Sequence, residues 1–160
     1  MSHSTKDQDP LALARAKWIT HGWADAEPGM AAVTSIIRAA NSLRARVEDA
    51  LEPFALNFAR YEVLTLLMFS RARTLPMTKI ASRLQIQPAS LSYTTKRLEE
   101  DGYIARYPNP DDKRGALIGI TDQGIALVNV ATKSLNQVFR ELGVSGDEVD
   151  GLIALLHRIS

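Results

Sequence analysis

The stretch that decides the fold runs from Met77 to Thr121 and reads MTKIASRLQIQPASLSYTTKRLEEDGYIARYPNPDDKRGALIGIT. Its first half predicts a short helix, a turn and a second helix that begins at Pro88, where a proline needs no N–H donor. Its second half predicts two strands, residues 103–107 and 116–120, joined by a loop rich in proline and aspartate. Two helices across a tight turn, followed by a hairpin, suit a protein that places one helix in a DNA groove.

The second helix of this stretch, residues 88–101, has two unlike faces. Leu91, Thr95 and Leu98, helped by Thr94, form a narrow stripe that predicts the buried side. The other side carries small residues, hydroxyls, one tyrosine and two cations, which allow close approach to phosphates and base edges. Acidic residues at 99–101 would be repelled by phosphate and are placed outside the contact. The DNA-contacting residues predicted on this helix are Ala89, Ser90, Ser92, Tyr93, Lys96 and Arg97.

The loop between the two strands, residues 108–115, is long for a hairpin. It carries Lys113 and Arg114 at its return, and an arginine suits the narrow, electronegative minor groove. Asp112 lies two residues before Arg114 and is predicted to brace the guanidinium. An ordinary exposed hairpin with turn-forming aspartates is the alternative interpretation, and the neighbouring pair of helices favours the DNA interpretation over it.

The charge distribution points to a local phosphate contact, since the chain as a whole is not a polycation. The 160 residues carry a net charge of +1. Residues 71–114 hold nine basic and five acidic side chains, a balance of +4 that leaves −3 for the remainder. A solvated charged face would give the same count, so the charge by itself does not decide between the two interpretations.

Local signals predict where several elements begin and end. Pro28 and Gly29 are predicted to separate the first two helices, and Leu75 is predicted to add a minimal third strand. The first helix of the central stretch is predicted to span Met77–Leu84. Thr121 is predicted to cap the helix that follows the hairpin, and the stretch 145–148 predicts a capping box at the start of the last helix.

Helical periodicity flanks the central stretch on both sides. Asp9 and Pro10 predict the start of an extra helix, because aspartate caps a helix and proline fits its first turn. The last helix is so apolar that it predicts burial in an interface. The predicted plan is a disordered tail (residues 1–9), an extra N-terminal helix (10–28) and a single domain (29–160), whose winged part (58–121) lies between dimerisation helices at 29–54 and 121–160.

Catalysis and metal binding find no pattern to support them. The chain has no cysteine, and His3, His21 and His157 are isolated without metal-ligand spacing. A turn explains the adjacent Asp111 and Asp112, so the sequence predicts neither an enzyme nor a cofactor. No apolar run approaches the ~20 residues that span a bilayer, and the N-terminus lacks an apolar signal segment. A cytoplasmic protein without a membrane partner is therefore expected.

The hairpin region resembles the winged helix-turn-helix regulators of the MarR family. The family's Asp-x-Arg, followed by an alternating strand that ends in Leu-Thr, stands here as Asp-Lys-Arg at 112–114 and Ile-Thr at 120–121. Arg-Leu-Glu-Glu-Asp-Gly-Tyr-Ile at 97–104 also resembles the end of the family's recognition helix and its first wing strand. Gln85 stands where the family often has glycine, and Tyr93 where it often has a basic residue; these departures concern the base preference rather than the fold.

The resemblance covers residues 30–160 and implies a mainly α fold with a small β-hairpin wing and a helical dimerisation region. It implies a homodimer whose two recognition helices enter successive major grooves of double-stranded DNA, at pseudo-palindromic half-sites ~10 base pairs apart. It also implies a repressor that a small, often anionic, molecule releases from its operator. The extra helix and its tryptophan resemble the members that respond to urate, citrate or aconitate, and Glu62 matches an acidic residue of the urate sensors.

The resemblance implies an effector site in a crevice between the dimer helices and the winged part. Each candidate also has an open alternative as a structural or surface residue. The candidates are Trp18, Arg44, Arg46, Arg60, Tyr61 and Glu62. The rival function is a winged-helix module that pairs proteins without specific DNA binding, and such a module would have no use for Lys113 and Arg114 on an exposed tip.

Overall fold

The structure is a computed structural model that describes residues 9–160. Apart from Asp9, the predicted disordered tail lies outside the described residues. The chain divides into two compact units, one that ends at Ala45 and one from Arg46 to Ser160. The division falls between Ala45 and Arg46, inside a long helix (Glu27–Leu51). The predicted boundary between residues 28 and 29 also lies inside this helix.

Helix α1 (Pro10–Thr20) begins as predicted. The Asp9 carboxylate accepts a hydrogen bond from the Leu11 N–H at 3.0 Å, and Pro10 occupies the first turn. In the turn that follows, Trp23 packs edge-on against Trp18, with ring centroids 5.2 Å apart.

Helix α2 (Glu27–Leu51) starts earlier than the sequence predicted. The prediction that Pro28 and Gly29 separate the first two helices is wrong, because both residues lie inside α2. A proline is tolerated in the first turn of a helix, where its missing N–H would have no intrahelical partner. The Glu27 carboxylate is buried and forms an ion pair with Arg15 of α1.

After a short 3-10 turn (Glu52–Phe54), the second unit contains five helices and three strands. The mainly α fold with a small hairpin wing is confirmed, including a minimal third strand predicted around Leu75. The elements are α3 (Phe58–Phe69), β1 (Thr74–Pro76), α4 (Met77–Leu84), α5 (Pro88–Glu100), β2 (Ile104–Pro108), β3 (Ala116–Ile120), α6 (Asp122–Arg140) and α7 (Gly146–Ile159).

The three strands form an antiparallel sheet in the order β1-β3-β2. Ile104 of β2 pairs with Ile120 of β3, and Arg106 pairs with Ile118. Side chains alternate across a strand, so Ile104 and Arg106 lie on the same face of β2. That face is the one that packs on α5, since Ile104 is buried in the core.

A single core holds the helix-turn-helix against the sheet and against α6. Each fully buried leucine or isoleucine contributes roughly 1.5–3 kcal/mol to folding. The fully buried side chains of this core include Leu64, Leu67, Ile80, Leu91, Leu98, Ile118, Val128 and Leu135.

Local backbone geometry sets the ends of the helices around the turn. Gln85 ends α4 in the left-handed region (φ 52°), a conformation that glycine adopts without strain. Gly102 ends α5 with φ 79°. Thr121 caps α6 as predicted, because its hydroxyl accepts a hydrogen bond from the Gly124 N–H at 3.1 Å.

Helix α7 begins with the predicted capping box, in which the Glu148 carboxylate accepts hydrogen bonds from the N–H and the hydroxyl of Ser145. Within residues 9–160, α7 packs so loosely that none of its residues is buried. Its large apolar side chains, Leu152, Ile153, Leu155, Leu156 and Ile159, are between 37% and 67% exposed. Along the same described span, no helix is both long and apolar enough to cross a membrane.

Candidate nucleic-acid interface

Helix α5 presents the two faces that the sequence predicted. Leu91, Thr94, Thr95 and Leu98 are buried, whereas every predicted DNA-contacting residue of the helix is exposed. The large side chain of Tyr93 is among them, with 69% of its surface exposed. At about 3.6 residues per turn, the residues directly opposite the buried stripe are Ala89, Tyr93 and Lys96, with Ser92 on one flank and Ser90 and Arg97 on the other.

The N-terminus of α5 is also open to a ligand. Gln87 precedes the helix, but its side chain makes no capping hydrogen bond. The first backbone N–H groups of a helix have no intrahelical acceptor, and together with the helix dipole they favour an anion. Ala89 and Ser90 are small enough to let a phosphate approach these groups.

The wing loop, residues 109–115, is ordered by side-chain hydrogen bonds to its own backbone. Asn109 accepts from the Asp111 N–H at 3.0 Å, and Asp112 accepts from the Arg114 N–H at 2.9 Å. Asp112 therefore binds the backbone of Arg114, and the brace to the guanidinium stays a prediction. An aspartate two residues before an N–H readily forms an Asx turn. Asp112 shapes the tip, and Arg114 is exposed beside Lys113.

Three acidic residues lie at the C-terminal end of α5, where unpaired carboxylates would repel DNA phosphates. Each carboxylate is paired with an arginine, so their charges are compensated locally. The pairs are Glu99 with Arg106 of β2 at 2.8 Å, Glu100 with Arg97 of the same helix at 3.3 Å, and Asp101 with Arg60 of α3 at 3.5 Å. The exposed Arg97–Glu100 pair contributes at most about 1 kcal/mol, so it leaves Arg97 free to exchange partners.

A cleft of about 640 Å³ separates the helix-turn-helix from the wing. Apolar side chains of α4 and α5, such as Met77, Ala81 and Leu91, line its inner part. Its polar lining residues are Thr78, Ser92, Arg106, Asn109, Asp112 and Arg114. One residue of the recognition face, Ser92, and Arg114 of the wing tip thus line the same cleft.

Arg106 lies in this site although the sequence pattern predicted no role for it. Its position contains a usable signal: it follows the apolar Ile104 by two residues in a strand and so falls on the inward face. Its guanidinium donates from Nε to Glu99 at 2.8 Å and from Nη2 to the Thr95 hydroxyl at 3.3 Å.

Three of the predicted effector residues are held by contacts within the fold. Arg46 donates to the Glu141 carbonyl near the C-terminal end of α6 at 2.8 Å, and Arg60 donates to the Ala55 carbonyl at 3.0 Å besides its pair with Asp101. Tyr61 is buried, and its hydroxyl lies 2.9 Å from that of Thr132. These contacts give each of the three a structural task.

Glu62 is half-buried and, together with Tyr61, lines a second cleft of about 390 Å³. Thr65, Leu66 and Phe69 share this cleft, and Phe69 is almost fully exposed. Burial raises the pKa of the Glu62 carboxyl above its ordinary value. In the first unit, Trp18 lines a shallow apolar cleft with Met30 and Val33, and Arg44 is exposed.

Among residues 9–160, no group of three or more His, Asp or Glu side chains is arranged to hold a metal ion. A helix-turn-helix whose second helix is exposed beside a cationic hairpin defines a winged helix-turn-helix protein. The sequence model of the MarR family matches residues 56–115.

Two solved structures and one curated relative show what this chain is similar to. Sco5413, a MarR family transcriptional regulator from Streptomyces coelicolor, is 41% identical, with a TM-score of 0.75 over 82% of this chain and 92% of that one. Sco3205, a MarR family regulator from the same organism solved in complex with DNA, is 26% identical, with a TM-score of 0.76 over 80% of this chain and 86% of that one. The transcriptional regulator PrsX of Escherichia coli is 26% identical over 106 residues, which are 66% of this chain and 64% of PrsX.

The chain belongs to the MarR family. The transcriptional regulators of this family are DNA-binding proteins and not enzymes.

Proposed function

We propose that the protein is a homodimeric transcriptional regulator, acting in the cytoplasm, that binds a pseudo-palindromic operator in double-stranded DNA. Helix α5 enters the major groove and the wing enters the adjacent minor groove. One observation carries this proposal: Ser92, on the exposed face of α5, and the exposed Arg114 of the wing line the same cleft. That spacing lets one DNA backbone strand lie between the two reading elements.

The chemistry of the α5 face fits close contact with DNA. Ser90 and Ser92 offer hydroxyls, and Lys96 and Arg97 offer cations that bind phosphate or guanine. Ala89 and Tyr93 are neighbours one helical turn apart, and together they offer an apolar contact of the kind that a thymine methyl accepts. The uncapped start of the helix adds a site for one phosphate.

The exposed apolar side chains of α7 are the observation that supports a homodimer. Soluble monomers seldom leave a contiguous apolar strip of this kind exposed, and such strips mark interfaces. A two-fold partner would bury Leu152 and Leu156, and it would place a second α5 at the same distance from the axis. Two copies bound to neighbouring half-sites explain why the operator is expected to be a pseudo-palindrome.

We also propose that the regulator is a repressor that a small molecule releases from DNA. A ligand can do so only if it binds more tightly to a dimer whose helix spacing does not fit the operator. Glu62 is the charged residue that lines the cleft of about 390 Å³, and its carboxylate oxygens can accept hydrogen bonds from a ligand. This cleft suits a ligand that offers hydrogen-bond donors better than it suits a plain anion.

The experiment is selection of bound duplexes from a random pool, followed by affinity measurements on the selected duplex. Arg114→Ala is expected to weaken binding roughly 10- to 100-fold, since a well-placed arginine contact contributes about 1–3 kcal/mol. The matched control is Lys133→Ala on α6, which removes the same charge outside the winged part and is expected to change the affinity little.

The result also decides between the proposal and the pairing module. If the wild type selects no sequence and binds duplex no tighter than ~10⁻⁶ M at physiological salt, its binding is non-specific and the pairing module is favoured. A panel of carboxylates and purines added to the preformed complex tests the effector. A compound that releases wild-type protein but not Glu62→Gln would assign the cleft.

A further inference from the structure

We propose that Arg106, positioned by Glu99 and Thr95, binds a phosphate of the DNA strand that passes between α5 and the wing. The inference deepens the proposed function and depends on it. It assigns a DNA-backbone contact to a residue on a wing strand, in addition to the contacts of α5 and of the wing tip.

The geometry of the Arg106 guanidinium supports a bound anion. The group has five N–H donors in a fixed fork. Two of them are used inside the protein, by Nε to Glu99 and by Nη2 to Thr95. Both Nη1 donors and the second Nη2 donor have no protein acceptor among the contacts of the described residues. Because the fork is planar, fixing Nε and Nη2 also fixes the direction of these remaining donors.

The two partners of Arg106 act as an orienting support. Thr95 is fully buried, and its hydroxyl donates to the Leu91 carbonyl at 3.0 Å, so its oxygen is held in place to accept from Arg106. Glu99 is partly exposed on the next turn of α5. A guanidinium held from two sides loses less conformational entropy when it binds a phosphate than a free side chain does.

The position of Arg106 defines the ligand as a backbone phosphate. The side chain is 37% exposed and lines the cleft together with Ser92 and Arg114. Ser92 belongs to the recognition face and Arg114 to the wing tip, so a strand that contacts both must pass Arg106. Phosphate oxygens are the acceptors that a backbone strand passing through this cleft presents to the remaining donors of Arg106.

The first test uses wild-type protein and the selected duplex. Single phosphates across one half-site are replaced by neutral methylphosphonates, and the affinity of each duplex is measured. One phosphate between the major-groove and minor-groove contacts is expected to weaken binding about 10-fold when neutralised, as for other charge-assisted hydrogen bonds. If no phosphate in that interval matters, the inference is overturned whatever the variants do.

The second test assigns that phosphate to Arg106. Arg106→Gln keeps an amide donor for Glu99 but removes the charge, and Arg106→Lys keeps the charge. With two copies per dimer, Arg106→Gln is expected to reduce the slope of log affinity against log salt by about 2, whereas Arg106→Lys keeps most of it. Arg106→Gln should also become insensitive to the sensitive methylphosphonate. A folded Arg106→Gln dimer with the wild-type slope and full phosphate sensitivity would reduce Arg106 to a structural support and overturn the inference.

The outcome of these tests is separable from that of the proposed function. If the wild type selects a duplex but the Arg106 result is negative, the regulator stands and this contact falls. If the wild type selects no duplex, the proposed function itself falls. Lys133→Ala serves as the charge control in the salt titration, and thermal melting of each variant reports whether it is folded.

Discussion

Helices α5 and α7 belong to the same unit but differ in which side chains they bury and which they expose. Helix α5 buries an apolar stripe of Leu91 and Leu98 against the core and exposes hydroxyls and cations. Helix α7 buries none of its residues among those described and exposes Leu152 and its apolar neighbours. Helix α5 is thus fully packed on its apolar side and polar on its exposed side. Helix α7 leaves its apolar side without a packing partner among the described residues.

This difference separates two kinds of information in one chain. The winged part folds on contacts within the chain, so its exposed side chains are available for DNA. The terminal helix supplies surface that only another molecule can cover, and a second copy is the partner that a symmetric operator requires. The effects of substitutions in α7 on stability and DNA affinity should therefore depend on protein concentration, whereas those of substitutions in the core of the winged part should not.

The largest effect is expected from a charge placed in the apolar strip of α7. Leu152→Glu should convert the dimer to monomer and weaken operator binding by more than about 100-fold, because a single recognition helix then contacts a single half-site. Ala154→Glu adds the same charge to the opposite face of α7 and should leave both properties near wild type. Sedimentation and anisotropy titration measure them. Equal behaviour of the two variants would place the dimer contact elsewhere.

A change in the core of the winged part should instead act on folding at every protein concentration. Leu98→Ala removes a fully buried side chain and should lower the free energy of unfolding by about 2–5 kcal/mol. Leu155→Ala on the exposed part of α7 should have an effect that depends on protein concentration. Denaturant titrations at two concentrations compare them, and a concentration-dependent loss in Leu98→Ala would contradict the distinction.

A smaller effect of opposite sign is expected at the turn between α4 and α5. Gln85→Gly should raise the stability of the winged part by about 1 kcal/mol, since glycine adopts the left-handed conformation of this residue without steric cost. Thermal melting measures the change. Gly at this position should leave DNA affinity unaltered, and a lowered melting temperature would show that the Gln85 side chain has a task of its own.

The smallest effect concerns Glu62 and depends on pH. Burial raises the folded-state pKa of this carboxyl above its ordinary value of 4.5, so the folded protein resists losing the proton. The unfolded chain ionises first, and stability is lost as the pH rises above that value. Glu62→Gln removes this loss and should be more stable than wild type at pH 7, with the difference vanishing near pH 4. A difference that does not vary with pH would point to packing.

The sequence predicted those features that local chemistry determines. Met77–Leu84 and Ala116–Ile120 have the predicted bounds, and Thr121 caps α6, because apolar periodicity and capping residues act within a few positions. Pro28 was misplaced because a proline within the first turn and a proline that separates two helices look alike in sequence.

The parts that depend on long-range contacts were the ones missed. The hydrogen bond from Arg46 to the Glu141 carbonyl joins residues 95 positions apart, and no local sequence pattern predicts it. Arg106 and Glu99 are seven residues apart but come together only because β2 folds back along α5.

A footprint of the protein on its selected duplex tests whether a symmetric dimer reads DNA with both helix α5 and the wing. We expect two protected major-groove stretches ~10 base pairs apart, related by two-fold symmetry, each flanked by minor-groove protection where the wing lies. Arg114→Ala should lose the flanking minor-groove protection and keep the two central stretches. Protection of one asymmetric stretch, or a footprint that Arg114→Ala leaves unchanged, would contradict the account.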